Sequence, residues 1–378
     1  MSKLCLFFNT PSIYRKLIYS TIDRSFDCDW FFGNWDANVK GFDTKCLEHK
    51  VAYLPIINPG GRIYYTRGII TLLFKRDYKQ YLMIGDVHDI ATWLFLFLKK
   101  VFFQRKPVYV WTHGWYGKES ATERKAKRLF YGYFVDGVFL YGEYAKSLMV
   151  NEGIDPSKLY VIHNSLDYDS QLEIRNSIRK TNIYYDHFRN SNKNIVFLGR
   201  LTESKRLDLL LKAVAMLKDR GELYNITIIG DGCVRKELDN LAIEYCLDGV
   251  TWFYGACYDE SVNAEFVFNA DLCVSPGNVG LTAIHSMMFG TPVLTHNDFP
   301  HQGPEFEAII EGKTGSYFQN GDINSLSNCI SAWFANNQRS REEVRKACMT
   351  EIDEKWNPGY QMRVLRSVLM KDSESHAE

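Results

Sequence analysis

The amino-acid sequence predicts an α/β protein built from two doubly wound parallel sheets, each in its own domain. The chain has 378 residues, which is enough for two domains of ordinary size. Short apolar runs alternate with helix-like segments along most of it, which is the pattern of parallel sheets. Residues 1–180 hold 26 Lys+Arg against 18 Asp+Glu, whereas residues 181–378 hold 19 against 27. A basic half followed by an acidic half also indicates two domains.

Composition excludes several other classes of protein. Hydrophobic residues make up 46% of the chain, which is typical of a globular protein. The nine cysteines form no Cys-x-x-Cys pair, so we expect buried thiols in a reducing cytoplasm, with neither a zinc site nor a disulfide framework. The apolar run at the N-terminus is too short for a signal peptide. The longest apolar stretch, residues 90–98, cannot span a bilayer, which needs about 20 apolar residues.

The first half of the chain contains five predicted strands. Apolar runs predict them at residues 4–8, 81–84, 108–111, 136–141 and 158–164. Helical periodicity predicts helices at residues 13–22, 90–103 and 118–134, and another from residue 143. A polar segment rich in asparagine, residues 176–192, is the expected interdomain linker. The first domain is therefore expected to span residues 1–180.

Two features of the first half are candidates for binding. His113 follows the strand at residues 108–111, at the edge where open α/β sheets bind ligands. It could donate to a phosphate or a sugar hydroxyl, or be a loop histidine satisfied by the backbone. The helix at residues 90–103 is apolar on most faces and has basic residues at its end, namely Lys99, Lys100, Arg105 and Lys106. It could lie on an anionic membrane surface or be buried against the sheet.

The basic character of the first half has two interpretations. It could face something anionic, either membrane phospholipid or a lipid-phosphate acceptor. Alternatively, it is a solvated surface on which charge is unevenly spread. Neither interpretation involves nucleic acid, and we expect no nucleic-acid partner.

The second half repeats the alternation of strands and helices. Apolar runs predict strands at residues 194–198, 224–229, 250–255 and 270–274, and another from Val293. An amphipathic pattern predicts a helix at residues 207–217. The second domain is expected to span residues 193–355.

Residues that suit a phosphate or a sugar follow these strands. Arg200 and Lys205 could flank one diphosphate, since Arg offers a planar fork and Lys a point charge, or they could begin a solvated helix. The glycine-bearing loop at residues 275–281 offers backbone N–H groups ahead of a helix, as phosphate-binding loops do. Glu307 could accept from sugar hydroxyls, or be an ordinary acid at a helix start.

The order of these motifs resembles that of the retaining glycosyltransferases of family 4, which have the GT-B fold. The segments that carry the resemblance are residues 199–205, Gly230-Asp231-Gly232, residues 250–255, residues 275–293 and residues 307–315. Residues 161–167 look like the family's Val-Ile-Pro-Asn-Gly-Val-Asp segment, with substitutions. Thr112-His113-Gly114 is similar to its active-site histidine segment. The match is close over residues 194–318 and looser over residues 107–168.

The resemblance implies two Rossmann-like domains facing a cleft. The second would bind a nucleotide-sugar donor and the first a glycan or lipid-linked acceptor. A final helix, residues 356–371, would return to the first domain. The implied activity is transfer of a hexose-type sugar with retention, in surface-polysaccharide synthesis, at the cytoplasmic side of the membrane.

The resemblance also implies roles for individual residues. His113, Arg200 and Lys205 would be catalytic, with the two cations neutralising the departing diphosphate. The residues expected to bind the donor are Gly199, Tyr254, Gly255, Asn278, Val279, Gly280, Leu281, His285 and Glu307. We expect no metal or other cofactor, since Arg200 and Lys205 can neutralise the leaving phosphate. Asp27-Cys28-Asp29 and Asp167-Tyr168-Asp169 resemble a metal-binding Asp-x-Asp motif only in their letters.

The sequence departs from the family pattern at two positions. The family has Glu where this chain has Gly277 and His285, with seven residues between them. The first Glu usually meets the sugar and the second the nucleotide ribose. The sugar contact would then pass to Asn278 or Glu307, while His285 could contact the ribose or be a histidine satisfied within the helix. The loss of both carboxylates also supports an alternative function, a non-catalytic sugar-nucleotide-binding or scaffold subunit.

Overall fold

Two compact units make up the protein. The computed structural model describes residues 3–34, 41–58, 63–336 and 339–370. The first unit comprises residues 1–167 together with 357–378, and the second comprises residues 168–356. Each unit is built on one main parallel sheet with helices packed against it.

The first unit contains a seven-stranded parallel sheet. Its chain forms strands β1 (Lys3–Phe8), β2 (Cys28–Gly33), β3 (Val51–Leu54), β4 (Ile56–Ile57), β5 (Tyr65–Thr66), β6 (Tyr78–Ile84), β7 (Val108–Thr112), β8 (Gly137–Leu140) and β9 (Leu159–Val161). The order across the main sheet is β3-β2-β1-β6-β7-β8-β9, and β4 pairs with β5 in a separate antiparallel ribbon. Both β1 and β2 are buried almost throughout, as expected for central strands covered on two faces.

The helices of the first unit cover both faces of this sheet. They are α1 (Lys16–Ser25), α2 (Ile69–Leu73), α3 (Ile90–Phe102), α4 (Ala121–Lys127, continued by a π-helix over Arg128–Phe134) and α5 (Glu143–Asn151). One apolar core lies around Phe95 and Val110, and a second around Trp30 and Tyr19. The carboxyl ends of the strands are left to loops, which form the candidate site of this unit.

The second unit contains a six-stranded parallel sheet. Its strands are β10 (Lys193–Leu198), β11 (Tyr224–Ile229), β12 (Thr251–Gly255), β13 (Leu272–Val274), β14 (Val293–His296) and β15 (Gly315–Phe318), in the order β12-β11-β10-β13-β14-β15. Its helices are α6 (Tyr168–Ser177), α7 (Ile183–Phe188), α8 (Leu207–Asp219), α9 (Arg235–Glu244), α10 (Glu260–Asn269), α11 (Thr282–Met288), α12 (Ile323–Asn336) and α13 (Arg341–Lys355). The strand order reverses between β10 and β13, which is where such sheets bind ligands.

The last helix of the described chain, α14 (Pro358–Leu369), belongs to the first unit. Asn357 caps its start by accepting from the Tyr360 amide, and Pro358 occupies the first turn, where no N–H is needed. Gln361 donates to the His163 carbonyl at 3.0 Å, and α14 packs against α1 in the second apolar core. Residue 371, the expected end of this helix, lies outside the described residues.

The expected linker at residues 176–192 is part of the second unit. It contains the end of α6 and all of α7. Tyr184 on α7 is buried and donates to the Phe266 carbonyl at 2.7 Å, while Gln171 on α6 donates to Glu260 at 2.8 Å. These contacts hold the segment on the second unit, so the chain enters that unit at Tyr168.

Two further expectations concern cysteines and membrane spans. All nine cysteines are free thiols, but Cys46, Cys233 and Cys246 are exposed, and Cys257 and Cys329 are half-buried. The expectation of buried thiols is therefore confirmed for the other four and wrong for the three exposed ones. Within the described residues, no helix combines the length and the hydropathy that crossing a bilayer requires.

Candidate functional site

In the second unit, the loops that follow β10 and β13 are joined by backbone hydrogen bonds. The Gly277 amide donates to the Lys205 carbonyl at 3.0 Å, and the Asn278 amide donates to the Ser204 carbonyl at 3.2 Å. A Cβ at position 277 would lie 1.9 Å from the Ser204 oxygen, which is far inside contact distance. Glycine is therefore required at 277 for this close approach, and a family-type Glu has no room on this backbone.

Lys205 is held inside this pair of loops. Its Nζ donates to the Asn278 carbonyl at 2.6 Å, and a Cβ on Gly280 would lie 4.0 Å from the same Nζ. Burial lowers the pKa of Lys205 below its usual value, the charge of Glu305 opposes that shift, and the charge of Arg200 adds to it. The structure thus brings Lys205, Asn278 and Gly280 together at one edge of the sheet.

Arg200 lies at the same edge of the sheet, but its side chain is in a different environment from the Lys205 side chain. Its side chain is exposed and makes no hydrogen bond or ion pair with any other residue in the described part of the chain, while its carbonyl accepts from the Thr202 amide at 3.1 Å. The preceding Gly199 has a φ of 149°, and a Cβ on Gly230 would lie 1.9 Å from the Gly199 oxygen. Glycines thus let two loops meet below Arg200, and its guanidinium remains available to an anion.

The amides of the loop at residues 275–281 differ in availability. The Val279 amide donates to Oε1 of buried Gln302 at 2.9 Å, so in this structure it is engaged within the protein. The amides of Gly280 and Leu281 have no hydrogen-bond partner among the described residues. Gln302 also donates to Thr295 at 2.8 Å and thereby fixes the loop from below. Sequence reasoning missed Gln302, because no spacing links it to the loop.

His285 is buried and paired with a carboxylate. Its Nε2 lies 2.7 Å from Oε1 of Glu260, which also accepts from Gln171. Burial acts to raise the pKa of Glu260, but its hydrogen bonds with His285 and Gln171 lower that pKa further, and the net shift is downward. An ionised carboxylate therefore lies beside position 285. An acid in the first turn of a helix is common, so the sequence carried no signal for this pairing.

The other expected donor-binding residues lie on separate parts of the second unit. Tyr254 is partly exposed on edge strand β12, with its ring 4.7 Å from that of Phe266. The Gly255 carbonyl accepts from the Gly230 amide at 2.8 Å. Glu307 is half-buried. Burial is the main cause that raises the pKa of Tyr317, and the charge of Glu307 adds to that rise. The carboxylate whose charge acts to raise the pKa of Lys205 is that of Glu305, two residues before Glu307.

The first unit has its own cavity, of about 520 Å³, at the carboxyl ends of its strands. His113 lines it with its ring 4.7 Å from that of Tyr141, and Arg15 and Lys127 line it as well. Burial lowers the pKa of His113 to about 4, and the charges of Arg15 and Lys127 act in the same direction. The ring is open to water in the cavity, which weakens the effect of burial, but the two cations still favour a neutral imidazole at pH 7.

One of the Asp-x-Asp look-alikes, Asp27-Cys28-Asp29, has structural partners at Asp29. Asp29 accepts from the Tyr78 hydroxyl at 2.6 Å and pairs with Lys3 at 2.8 Å. Within the described chain, one cluster has ligand atoms close enough for a metal: Asp23, Cys28 and His49. Asp23 already accepts from the Trp30 indole and the Glu48 amide. These donors account for the Asp23 carboxylate without an ion.

Comparisons with known proteins show what this chain is similar to. Residues 182–349 match the family described as glycosyl transferases group 1. A GDP-mannose-dependent alpha-(1-6)-phosphatidylinositol dimannoside mannosyltransferase of Mycobacterium tuberculosis is 32% identical over 103 residues, which are 26% of this chain and 26% of that protein. WcaL of Escherichia coli, named as a colanic acid biosynthesis glycosyltransferase, is 24% identical over 186 residues, which are 46% of this chain and 44% of WcaL. This chain thus spans about a quarter to under half of the curated relatives it matches.

The solved structures extend the likeness to both units. The apo form of the lipopolysaccharide outer core galactosyltransferase WaaB has a TM-score of 0.72 over 98% of this chain and 99% of that one. At 14% identity, this similarity shows the fold. The predicted fold class is confirmed. The chain has the GT-B fold, and its residues 182–349 are similar to the glycosyl transferases group 1 family.

Proposed function

We propose that this protein transfers a hexose-type sugar, with retention, from a nucleotide-sugar donor to a glycan or lipid-linked oligosaccharide acceptor in surface-polysaccharide synthesis. The name of the GDP-mannose-dependent mannosyltransferase supports a nucleotide-sugar donor, and the names of WcaL and WaaB support a surface polysaccharide as the product. The second unit would bind the donor and the first unit the acceptor. His113 would contact the transferred sugar, and the site would work in the cytoplasm without a metal.

The observation that carries the proposal is the pair of cations at the edge of the second sheet. Lys205 is fixed against Asn278, while Arg200 is exposed and unpaired among the described residues. As the bond to the sugar breaks, negative charge grows on the leaving diphosphate, and fixed cations stabilise that charge without reorganising. The leaving phosphate would then accept the proton of the acceptor hydroxyl, which attacks on the same face of the sugar.

The test is a panel of UDP-, GDP- and dTDP-sugars offered with lipid-linked acceptors. We expect one donor to be used and the anomeric configuration of the donor to be kept in the product, as measured by NMR. Arg200→Ala with Lys205→Ala should lower the transfer rate by roughly 10³-fold or more, since one such donor is commonly worth about 10²–10³. The matched control, Lys236→Ala with Lys346→Ala, removes two exposed cations of the same unit. Equal loss in both double variants would refute the assignment.

The alternative function is a non-catalytic sugar-nucleotide-binding or scaffold subunit. It is favoured by Gly277, since this backbone admits no carboxylate at that position. The same panel separates the two functions. Tight nucleotide binding without turnover of any donor would establish the alternative, whereas turnover of one donor would exclude it.

We also propose that α3 rests on an anionic membrane surface. Ile90, Leu94, Phe97 and Val101 are exposed at the three- and four-residue spacing of one helix face, and Phe102 extends that face. Lys100 lies 4.7 Å from the exposed Tyr133 ring, and the exposed Arg105 follows the end of α3 by three residues. Apolar side chains beside cations suit lipid headgroups and phosphate. Lys99, expected among these cations, is instead buried and paired with Asp136.

Co-sedimentation with vesicles tests this surface. Vesicles containing phosphatidylserine should bind the protein at low salt and release it as salt rises, because salt screens the charge attraction. Phe97→Asp should reduce binding. Ile243→Asp, which changes an apolar residue of α9 that is 64% exposed, is the matched control. Equal binding by both variants, or no binding at low salt, would exclude the surface.

A further inference from the structure

An arginine without a carboxylate partner lines the cavity of the first unit. Arg15 lies in the turn between β1 and α1 and is half-buried. Its Nη1 donates to the Tyr19 hydroxyl at 3.2 Å, and its Nη2 donates to the Tyr141 hydroxyl. The guanidinium also lies 5.8 Å from the centre of the Trp111 ring. No ion pair joins Arg15 to any other residue that the structure describes.

This environment leaves the positive charge of Arg15 uncompensated. Both of its hydrogen-bond partners are phenols, which are neutral at pH 7, and burial raises the pKa of Tyr19. The carboxylates that line the cavity serve other groups. Asp86 accepts from Tyr64 at 2.9 Å, and Glu123 pairs with Lys127 at 3.3 Å. Removing an unpaired guanidinium from water is unfavourable, so an anion would stabilise this arrangement.

The contacts of Arg15 also leave it able to bind. Aromatic rings such as Trp111 interact with a guanidinium through the cation–π attraction, whereas carboxylates and phosphates use its N–H edge. Two of the five N–H groups on that edge account for the two hydroxyl partners. Asn9 and Ser12 line the same cavity and offer polar atoms for sugar hydroxyls. A volume of about 520 Å³ suits a sugar that carries a charged group.

We infer that Arg15 is the centre of an oxyanion site that takes a phosphate or carboxylate group carried by the acceptor sugar. The assignment to the acceptor rests on the proposed function. The oxyanion site itself does not, because it concerns binding alone. The exposed Lys118 at the cavity would add a second positive charge for the same group.

The experiment compares three hexoses that differ at C6: glucose, glucuronate and glucose 6-phosphate. Full-length wild-type protein is treated with an arginine-selective reagent, and labelling of Arg15 is followed by mass spectrometry. We expect glucose 6-phosphate, glucuronate or both to protect Arg15, and glucose to give no protection. The arm that protects identifies the charged group. Protection should persist in Arg200→Ala, because Arg200 is in the other unit. Lack of protection by either anion, or equal protection by glucose, would overturn the inference.

Binding measurements on variants complete the test. Arg15→Gln should weaken binding of the protecting hexose by roughly tenfold or more, as expected for loss of charge-assisted hydrogen bonds. Arg15→Lys keeps the charge but loses the planar fork of the guanidinium, so its affinity for the hexose should lie between those of the wild type and Arg15→Gln. Binding of UDP should be unchanged in both. Undiminished hexose binding by a folded Arg15→Gln protein would refute the site. A protein that transfers no sugar but shows these effects would refute the proposed function and leave the oxyanion site standing.

Discussion

Replacing Gly277 by alanine tests how tightly the two loops of the second unit are joined. The new Cβ would lie 1.9 Å from the Ser204 oxygen and 2.9 Å from the Cα of Lys205, both backbone atoms that cannot rotate away. The turn at Glu203–Lys205 must then move, which breaks the two hydrogen bonds from the Gly277 and Asn278 amides. Two backbone hydrogen bonds are worth about 1 kcal/mol each, and overpacking adds about 1–3 kcal/mol. We therefore expect a loss of about 3–5 kcal/mol.

Thermal unfolding and nucleotide titration measure the result. For a unit of this size, such a loss corresponds to a fall of roughly 6–20 °C in Tm. Nucleotide affinity should fall as well, because the movement separates Lys205 from the Asn278 carbonyl. Gly249→Ala is the control, since a Cβ there meets nothing within 4 Å and its backbone needs no glycine. A Gly277→Ala protein that melts with the wild type would refute the reasoning.

Three further predictions follow from charged side chains. Glu260→Gln keeps a hydrogen-bond partner for His285 but removes the charge. Hydrogen bonds that involve a charged group are stronger than neutral ones, so a ribose held through this pair should be held less tightly, and nucleotide affinity should fall several-fold in a titration. An unchanged affinity would contradict a role at the nucleotide. Because burial lowers the pKa of Lys205, the transfer rate should decline on the alkaline side below the usual lysine pKa of 10.5. Lys205→Arg should move that decline to higher pH, and an identical pH–rate profile would count against it. Asp23→Ala should cost about 3 kcal/mol in urea unfolding, because it strands the buried Trp30 indole N–H and the Glu48 amide, whereas exposed Asp27→Ala should change little.

The parts of the fold that the sequence predicts best are strands buried on both faces. The expected strand at residues 224–229 coincides with β11, and the one at 194–198 differs from β10 by one residue. A continuous apolar run between polar turns is sufficient evidence for such strands, because their burial depends on no particular partner. The loops after β10 and β13 could be placed at one edge for the same reason, since parallel strands end together.

Elements whose stability depends on distant partners were missed. β2 contains Asp29, which argues against a buried strand until Lys3 and Tyr78 are seen to hold its carboxylate. α7 lies within the polar, asparagine-rich segment 176–192, which resembles a linker, and the buried Tyr184 holds it on α10. In the site, Gln302 accepts from the Val279 amide, which is 23 residues away in the sequence. The charge of Glu305 acts on the pKa of Lys205, which is 100 residues away. Spacing along the chain carries no information about contacts of this kind.

The two departures from the family pattern have different physical causes, and this bears on the choice between enzyme and scaffold. At position 277, the Ser204 carbonyl occupies the place of any side chain, so the carboxylate is lost. At position 285, Glu260 brings an ionised carboxylate to within 2.7 Å of the histidine, so negative charge is retained nearby. By the resemblance, the first position meets the sugar and the second the ribose. We infer that the nucleotide end of the site keeps the negative charge of the family pattern, whereas the sugar end has lost it. This difference favours an enzyme whose donor sugar is not the one that the family pattern binds, over a subunit that has lost its activity.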